Sequence, residues 1–405
     1  MSKYQKYRAR LKDEFLLVGE GSGCSLPADA RKTEFSDSGT TESIHFGDAT
    51  VFLGWYMGIL ATEHFLLRKG LMDSPDQTLN ISETEKELYF ALKALKRLMK
   101  KAPSAFDTPC PDSSSQQNAS EAEGFFIRDD VKSNLKQAFG ADELESDYSA
   151  LNPFQKEESQ DQLIHLLLGL ALVKKFIPEN VHVQGKSLLK LAQKSAVKIC
   201  TWPSQTKWII RNPFCGNKKV ARGDFAVFFS YPIALPCHDI FDSETDLLAT
   251  VRRFYKFLWR RVLKHRLPFI YNPTNRHLAL TLACTTSSWG ENSLKHIFRL
   301  SKKHDWPLYP LLHTALHHEA SMQSGASADS DSSITELLLR AESMLNEAPE
   351  EGPSYEQSPP GWKASHRFLA GTSSQNLGYD PHQGMRFCGA DFMLLHNLCQ
   401  IVKAL

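Results

Sequence analysis

One local pattern recurs along this chain and limits what it can fold into. An aspartate opens a stretch that is apolar on nearly every side, and an amphipathic stretch follows. Asp48, Asp161, Asp224 and Asp391 each open such a run. A helix that is apolar all round has to be buried, whereas one with a single apolar stripe covers it and faces water. The first run, 48–69, contains Val51, Phe52, Leu53, Trp55, Tyr56, Met57, Ile59 and Leu60. Its Gly54 and Gly58 lie four apart, so a neighbouring helix can approach that face closely. The next helix is expected to start at Ser82. Ser82 and Glu85 have capping-box spacing, Leu88, Leu92, Leu95 and Met99 form the stripe, and Lys86, Glu87, Lys93, Lys96, Arg97 and Lys100 lie on the other face.

The same order returns at 159–177 with 187–201, and further pairs are read at 221–238 with 244–266, 275–287 with 290–304, and 308–320 with 333–346. A short helix over 4–17 precedes them and an apolar helix over 389–404 closes the chain. Between 19 and 46 the sequence is rich in Gly, Ser and Thr and reads as a loop. Segments 103–123, 321–332 and 349–361 are rich in Pro, Ser, Asp or Gly and read as flexible surface loops. Segments 207–211 and 224–230 are short enough to be strands, but no run of alternating strands is evident. The expected fold is therefore all-α: a single domain over 1–405 with five to six helix pairs, inner helices buried and outer ones amphipathic, closed into an (α/α) toroid. An open helical solenoid is the structural rival.

Net charge is +1, so no global field steers the chain toward nucleic acid. Eight cysteines are scattered without a C-x-x-C pair and read as mostly reduced, buried thiols. No secretory leader and no membrane-spanning run is seen, so the expectation is a cytoplasmic protein if the chain is full length, and a secreted or periplasmic one if a leader has been removed. No nucleic-acid or membrane partner is expected. The basic stretch from Arg252 to Arg266, interleaved with aromatics, reads as a solvated outer helix face. His313 and His317 have i, i+4 spacing but no evident third ligand, so no metal and no cofactor is expected.

Inner helices that converge on one cleft bring helix-start acids together. Asp48, Asp161, Asp224 and Asp391 then face a shared cavity, although aspartate at a helix start also serves as a cap. Arg128, Asp129 and Asp130 end a short apolar run that begins at Gly124, and two adjacent acids there suit a turn or cleft. The candidate catalytic carboxylates are Asp129, Asp130, Asp161 and Asp48, because two carboxyls with separated pKa values can do acid–base work on a glycosidic bond. Arg128, Gln162, Trp289, Trp208 and Trp362 are candidate substrate-binding residues, supplying polar contacts to hydroxyls and aromatic faces for stacking. Glu63, inside the first apolar run, needs an ionic partner.

The Asp-led apolar helices at 48, 161, 224 and 391, together with 124–130 and its paired acids, resemble the α/α-toroid carbohydrate-active enzymes. These include glycoside hydrolases, unsaturated glycuronyl hydrolases and polysaccharide lyases. The resemblance implies a cleft at the inner-helix rim, a glycan or oligosaccharide substrate, and an acid acting on a glycosidic oxygen or a vinyl ether. The alternative is a non-catalytic α/α module that binds a glycan or a protein partner.

Overall fold

The computed structural model describes residues 1–37, 39–72, 79–106, 123–149, 155–205, 210–214, 218–219, 298, 301–302, 306–323, 328–350, 352 and 385–405. The helices are α1 (Lys3–Arg10), continued by a π-turn at Leu11–Phe15, then α2 (Ala49–Arg68), α3 (Ile81–Ala105), α4 (Gln160–Phe176), α5 (Leu188–Gln205), α6 (Leu308–Gln323), α7 (Ala328–Glu347) and α8 (Ala390–Ala404). The strands are β1 (Ala30–Ser36), β2 (Gly39–His45), β3 (Glu143–Glu145), β4 (His182–Val183), β5 (Lys186–Ser187), β6 (Arg211–Asn212), β7 (Lys218–Lys219) and β8 (Met385–Phe387).

Helix α2 is the hub. It is buried along almost its whole length and packs on α4, α8 and α3. It is also long and apolar enough to cross a membrane by length and composition alone, but 89% of that window is buried in protein, as in a core helix. Its partner at the glycine face is α4. A Cβ on Gly54 would stand 2.2 Å from the His165 carbonyl oxygen, and one on Gly169 would stand 2.4 Å from the Gly54 carbonyl oxygen. One turn further on, a Cβ on Gly58 would meet Leu172 at 2.7 Å and Leu394 of α8 at 3.8 Å. Contacts advance in the same direction on both helices, so α2 and α4 run parallel. So does α8, whose Asn397 donates to Ile59 O at 3.3 Å and to Thr62 Oγ1 at 3.1 Å. Helix α3 runs the other way: its Thr84 meets Glu63 and its Glu87 meets Tyr56. The N-terminal ends of α2, α4 and α8 thus share one end of the molecule.

The all-α toroid is overturned by a four-stranded mixed sheet in the order β3-β2-β1-β8 and by two-stranded sheets β4-β5 and β6-β7. The antiparallel hairpin β1–β2 runs from Ala30↔His45 to Ser36↔Gly39 and occupies the segment expected to be a loop. β8 adds antiparallel at Ala30↔Phe387, and β3 adds parallel at Ser43↔Glu143. β2 leads into α2 and β8 into α8, so this sheet lies at the end where the inner helices start. The alternation of apolar and polar residues is hard to see in β1 and β2 because only one end of the hairpin is buried and the other stands in solvent. Two further expectations change. The cap of α3 is Asn80, which accepts from Glu83 N at 2.9 Å, and Glu85 instead meets His64 at 3.0 Å. The 321–332 loop is largely helix, since α6 continues to Gln323 and α7 begins at Ala328. The pairs read at 221–238 with 244–266 and at 275–287 lie outside the described residues.

A buried ionic network fastens α1 to this core. Arg8, 1% exposed, donates from Nε to Glu63 Oε2 at 2.7 Å and from Nη2 to Glu87 Oε2 at 3.0 Å. Tyr4, Thr84 and Tyr56 donate to the same carboxylates, at 2.7, 2.8 and 2.5 Å. Glu63 is therefore an ion-pair residue, as its place in an apolar helix requires. Glu87 would be raised by burial, but Arg8, Tyr56 and Lys12 bring it down to about 2. Its stabilising contribution is accordingly complete above the unfolded value near ~4.3 and is lost as pH falls through about 2.

The close α2–α4 approach makes a direct prediction. Gly54→Ala lowers unfolding stability by about 3 kcal/mol or more, read as a drop in the denaturant midpoint. Gly47→Ala, where a Cβ would meet nothing within 4 Å, leaves the midpoint in place. Equal midpoints for the two variants would contradict this packing.

Candidate active site

Two chain segments build the start of α4. Residues 124–131 run beside 155–159, joined by an antiparallel bridge between Ile127 and Glu157 and by Arg128 N–H to Lys156 O at 3.2 Å. Gly124 allows this. Its φ is +107°, and a Cβ there would stand 1.7 Å from the Lys198 carbonyl oxygen of α5. Phe125 anchors the strip in a cluster with Phe106 and Phe214, with ring centroids 6.1 and 5.9 Å away. Arg128 lies across the pair, donating from Nε to Glu157 O at 2.7 Å and meeting Asp147 at 3.4 Å.

This pairing places two adjacent glutamates just before the helix. Glu158 is 1% exposed; its Oε2 accepts the Phe126 N–H at 3.0 Å, and its Oε1 has no hydrogen-bond partner among the described residues. Burial pushes its pKa well above the ordinary range, against the Phe126 hydrogen bond, and the neighbouring Glu157 adds to the rise. Glu157, 2% exposed, accepts from Asn212 Nδ2 at 2.8 Å. Burial raises it too, opposed by Asn212 and Arg128. Asn212 is positioned by β6, which is held to α5 by Trp202 Nε1 donating to Arg211 O at 2.7 Å.

Helix α4 follows. Ser159 N–H donates to Gln162 Oε1 at 3.1 Å, and Ser159 Oγ donates to Asp161 Oδ1. Gln162 is fully buried with Nε2 unpaired. Asp161 is half-buried in the first turn, where the helix dipole favours an anion. His165, one turn on, is stacked near Trp55 at 6.0 Å and bonds Asp161 O through Nδ1 at 2.6 Å. A carbonyl only accepts, so Nδ1 carries the proton and Nε2 keeps its lone pair. Burial lowers the His165 pKa to about 4, so the ring is neutral at pH 7.

The paired aspartates separate into different roles. Asp130 is a structural anchor: Arg97 grips it at 2.7 and 3.1 Å, Lys101 at 2.8 Å, and Gly23 N–H donates to it at 2.9 Å. Burial would raise its pKa, but these donors outweigh burial and hold it below the usual value. Its task is to fix the glycine-rich turn at 19–25. Asp129 points to the other side, accepting from Ser146 Oγ at 2.5 Å, Val131 N at 2.9 Å and Tyr148 N at 3.2 Å. Burial dominates here, and with Asp147 nearby its pKa rises to about 7 despite those donors.

Among the sequence candidates, Arg128, Asp129, Asp161 and Gln162 thus belong to one neighbourhood of 124–131, 146–148 and the start of α4. Asp48 immediately precedes α2, and its side chain makes no capping hydrogen bond; Asp391 is the second residue of α8. Both start helices at this end of the molecule. Trp208, Trp289, Trp362, Asp224 and the 252–266 stretch lie outside the described residues. Sequence reading missed Glu157, Glu158, Asn212 and His165. The available signal was two acids directly before a serine N-cap. A cavity of ≈ 380 Å³, lined by Lys6, Tyr7, Arg10 and Glu350, lies elsewhere, against α1. Among the described residues, no group of three or more His, Cys, Asp or Glu is placed to hold a metal. Among the described cysteines, Cys24, Cys388 and Cys399 are free thiols and Cys200 is disulfide-bonded.

No family model, curated protein or solved structure matches the chain. The class of the site therefore rests on its chemistry: a buried carboxyl pair whose pKa values burial raises.

The raised Asp129 pKa predicts a pH dependence. The folded state holds this proton more tightly than the unfolded chain, whose aspartate titrates near ~3.9. The Asp129 contribution to stability therefore falls as pH rises from that value to about 7, and is flat above it. Urea midpoints between pH 4 and 8 should show a shallower decline in Asp129→Asn than in the parent chain. An identical slope in both would refute the assignment.

Proposed function

We propose that the chain is a glycan-active enzyme, a hydrolase or lyase, whose acid–base group is the buried Glu158. The supporting observation is the Glu157–Glu158 pair. Glu158 is enclosed, its acid form is favoured, and its Oε1 makes no protein hydrogen bond. A proton on that oxygen is available for transfer to a glycosidic oxygen. Asp161, half-buried on the positive end of α4 and oriented by Ser159, is the carboxylate that takes a proton from water or from the sugar ring. Asn212 and Arg128 position Glu157, which adds to the field that keeps Glu158 protonated. Asp129 supports the strip from the far side, and Asp130 takes no part in proton transfer because its charge is answered by Arg97 and Lys101.

A non-catalytic module that binds a glycan or protein is the second reading, and the observation favouring it is that Glu158 is 1% exposed. The disulfide at Cys200 favours a compartment in which disulfides persist.

Release of reducing ends or of unsaturated products from a panel of polysaccharides, acidic and neutral, tests the enzymatic reading. Glu158→Gln is expected to lower turnover by about 10²–10⁴-fold with the fold intact, and Asp161→Asn by a similar factor. Asp130→Asn is expected to lower the unfolding midpoint while leaving turnover per folded molecule near the parent value. Turnover unchanged in both Glu158→Gln and Asp161→Asn would remove the assignment.

A further inference from the structure

Charge is segregated on the outside of this molecule. Residues 88–105 of α3 carry Lys93, Lys96, Arg97, Lys100 and Lys101 and no Asp or Glu; residues 186–205, covering β5 and α5, carry Lys186, Lys190, Lys194 and Lys198 and again no acid. For a chain whose net charge is +1, nine cations without an acid among them is a marked concentration. Helix α7 has the opposite balance in sequence, with Asp329, Asp331, Glu336, Glu342 and Glu347 against Arg340.

The two basic segments form one surface. Helices α3 and α5 pack on each other, and Tyr89 of α3 donates to Gln184 of the β4–β5 turn at 3.0 Å. Lys93 and Lys186 both lie over the Tyr89 ring, at 5.7 and 6.0 Å from its centroid. The rows therefore start together and run side by side. On α5 the lysines recur every four residues, about 6 Å apart along the helix. Lys96, Lys100, Lys186, Lys190, Lys194 and Lys198 are exposed. Three of the nine cations answer carboxylates: Arg97 and Lys101 hold Asp130, and Lys198 holds Glu123. The flanking acids are Glu83, Glu85 and the buried Glu87 at the start of α3 and Glu179 ahead of β4.

The surface leads to the candidate active site. Lys101 lies 5.8 Å from the Tyr148 ring centroid, and Lys156 lies 5.6 Å from it. The Tyr148 N–H donates to Asp129, and Lys156 adjoins Glu157. Lys101 of this face and Lys156 of the carboxyl strip thus meet at one tyrosine, so the basic surface adjoins the strip. We propose that the α3–α5 face is an exosite for an acidic polysaccharide, one carrying a carboxylate or sulfate at regular intervals, which it feeds toward the Glu157–Glu158 strip. This rests on the reading of the chain as glycan-active. The composition of the face favours a glycan over the other polyanions. Its exposed charges are ammonium groups, and its one guanidinium is taken by Asp130, so planar phosphate recognition is lacking. None of its described residues is an exposed aromatic on which a base could stack. Val197 is the large apolar side chain it exposes, too little to enter a lipid interface.

Titration calorimetry of the full chain with polygalacturonate, at low and moderate salt, tests the proposal. Binding that weakens with salt is expected, with no binding of neutral dextran. Replacing Lys96, Lys100, Lys190 and Lys194 together by Gln is expected to weaken binding about tenfold or more at an unchanged unfolding midpoint. The same four positions changed to Arg keep binding, which separates charge from local damage. Glu158→Gln also keeps binding while it loses turnover. Absence of polygalacturonate binding, equal binding by the Gln variant, or tighter binding of duplex DNA or of phosphatidylserine vesicles would each overturn the exosite. Turnover of a neutral glycan that depends on Glu158, without polyanion binding, would overturn the exosite alone and leave the acid–base reading standing.

Discussion

Backbone-to-backbone contact between α2 and α4 is the constraint on which the remaining architecture depends. Gly54 and Gly169 bring the two helices so close that no side chain fits between them at that crossing. At this separation the helices lock in register, and because they run parallel their N-terminal ends are fixed at one end of the molecule. α8 joins them through Leu394 and Asn397. The sheet then closes over that end, since β2 and β8 each lead directly into an inner helix. The Arg8–Glu63–Glu87 network fastens α1 across α2 and α3 and satisfies charges that the apolar core could not otherwise hold.

At the start of α4 the same burial has opposite results for neighbouring acids. Asp130 meets two cations and remains a carboxylate. Glu158 meets a single N–H and the field of Glu157, so its proton is favoured. Asp129 accepts three hydrogen bonds yet lacks a cation, and burial wins. What separates them is the partner rather than the residue type, and an enzyme can use such separation when one group must donate a proton while another accepts.

Much of the helical layout was legible in the sequence because it rests on periodicity. The apolar run at 48–69 and the glycine spacing within it define α2 and its close neighbour, and α4, α5 and α8 follow from the same reasoning. The sheet was not legible. β1 and β2 leave one end of their hairpin in solvent, so their residues do not alternate, and β3 and β8 are three residues long. The site was legible in part. Paired acids at 129 and 130 marked the right segment, but Asp130 proved to be an anchor, because its partners Arg97 and Lys101 approach from a distant helix. Glu157 and Glu158 were passed over because what buries them, the strip at 124–131, lies across a long stretch of sequence. Asp48 and Asp391 looked equivalent to Asp161 as helix starts, yet only Asp161 is next to that strip.

The account turns on the protonation state of one enclosed carboxyl group. Infrared difference titration of the folded chain, compared with Glu158→Gln, reads it directly. A protonated carboxyl band beyond the one Asp129 contributes is expected to persist where ordinary glutamates have ionised, and to be lost selectively in Glu158→Gln. Persistent carboxyl bands that are identical in the parent chain and in Glu158→Gln would contradict it.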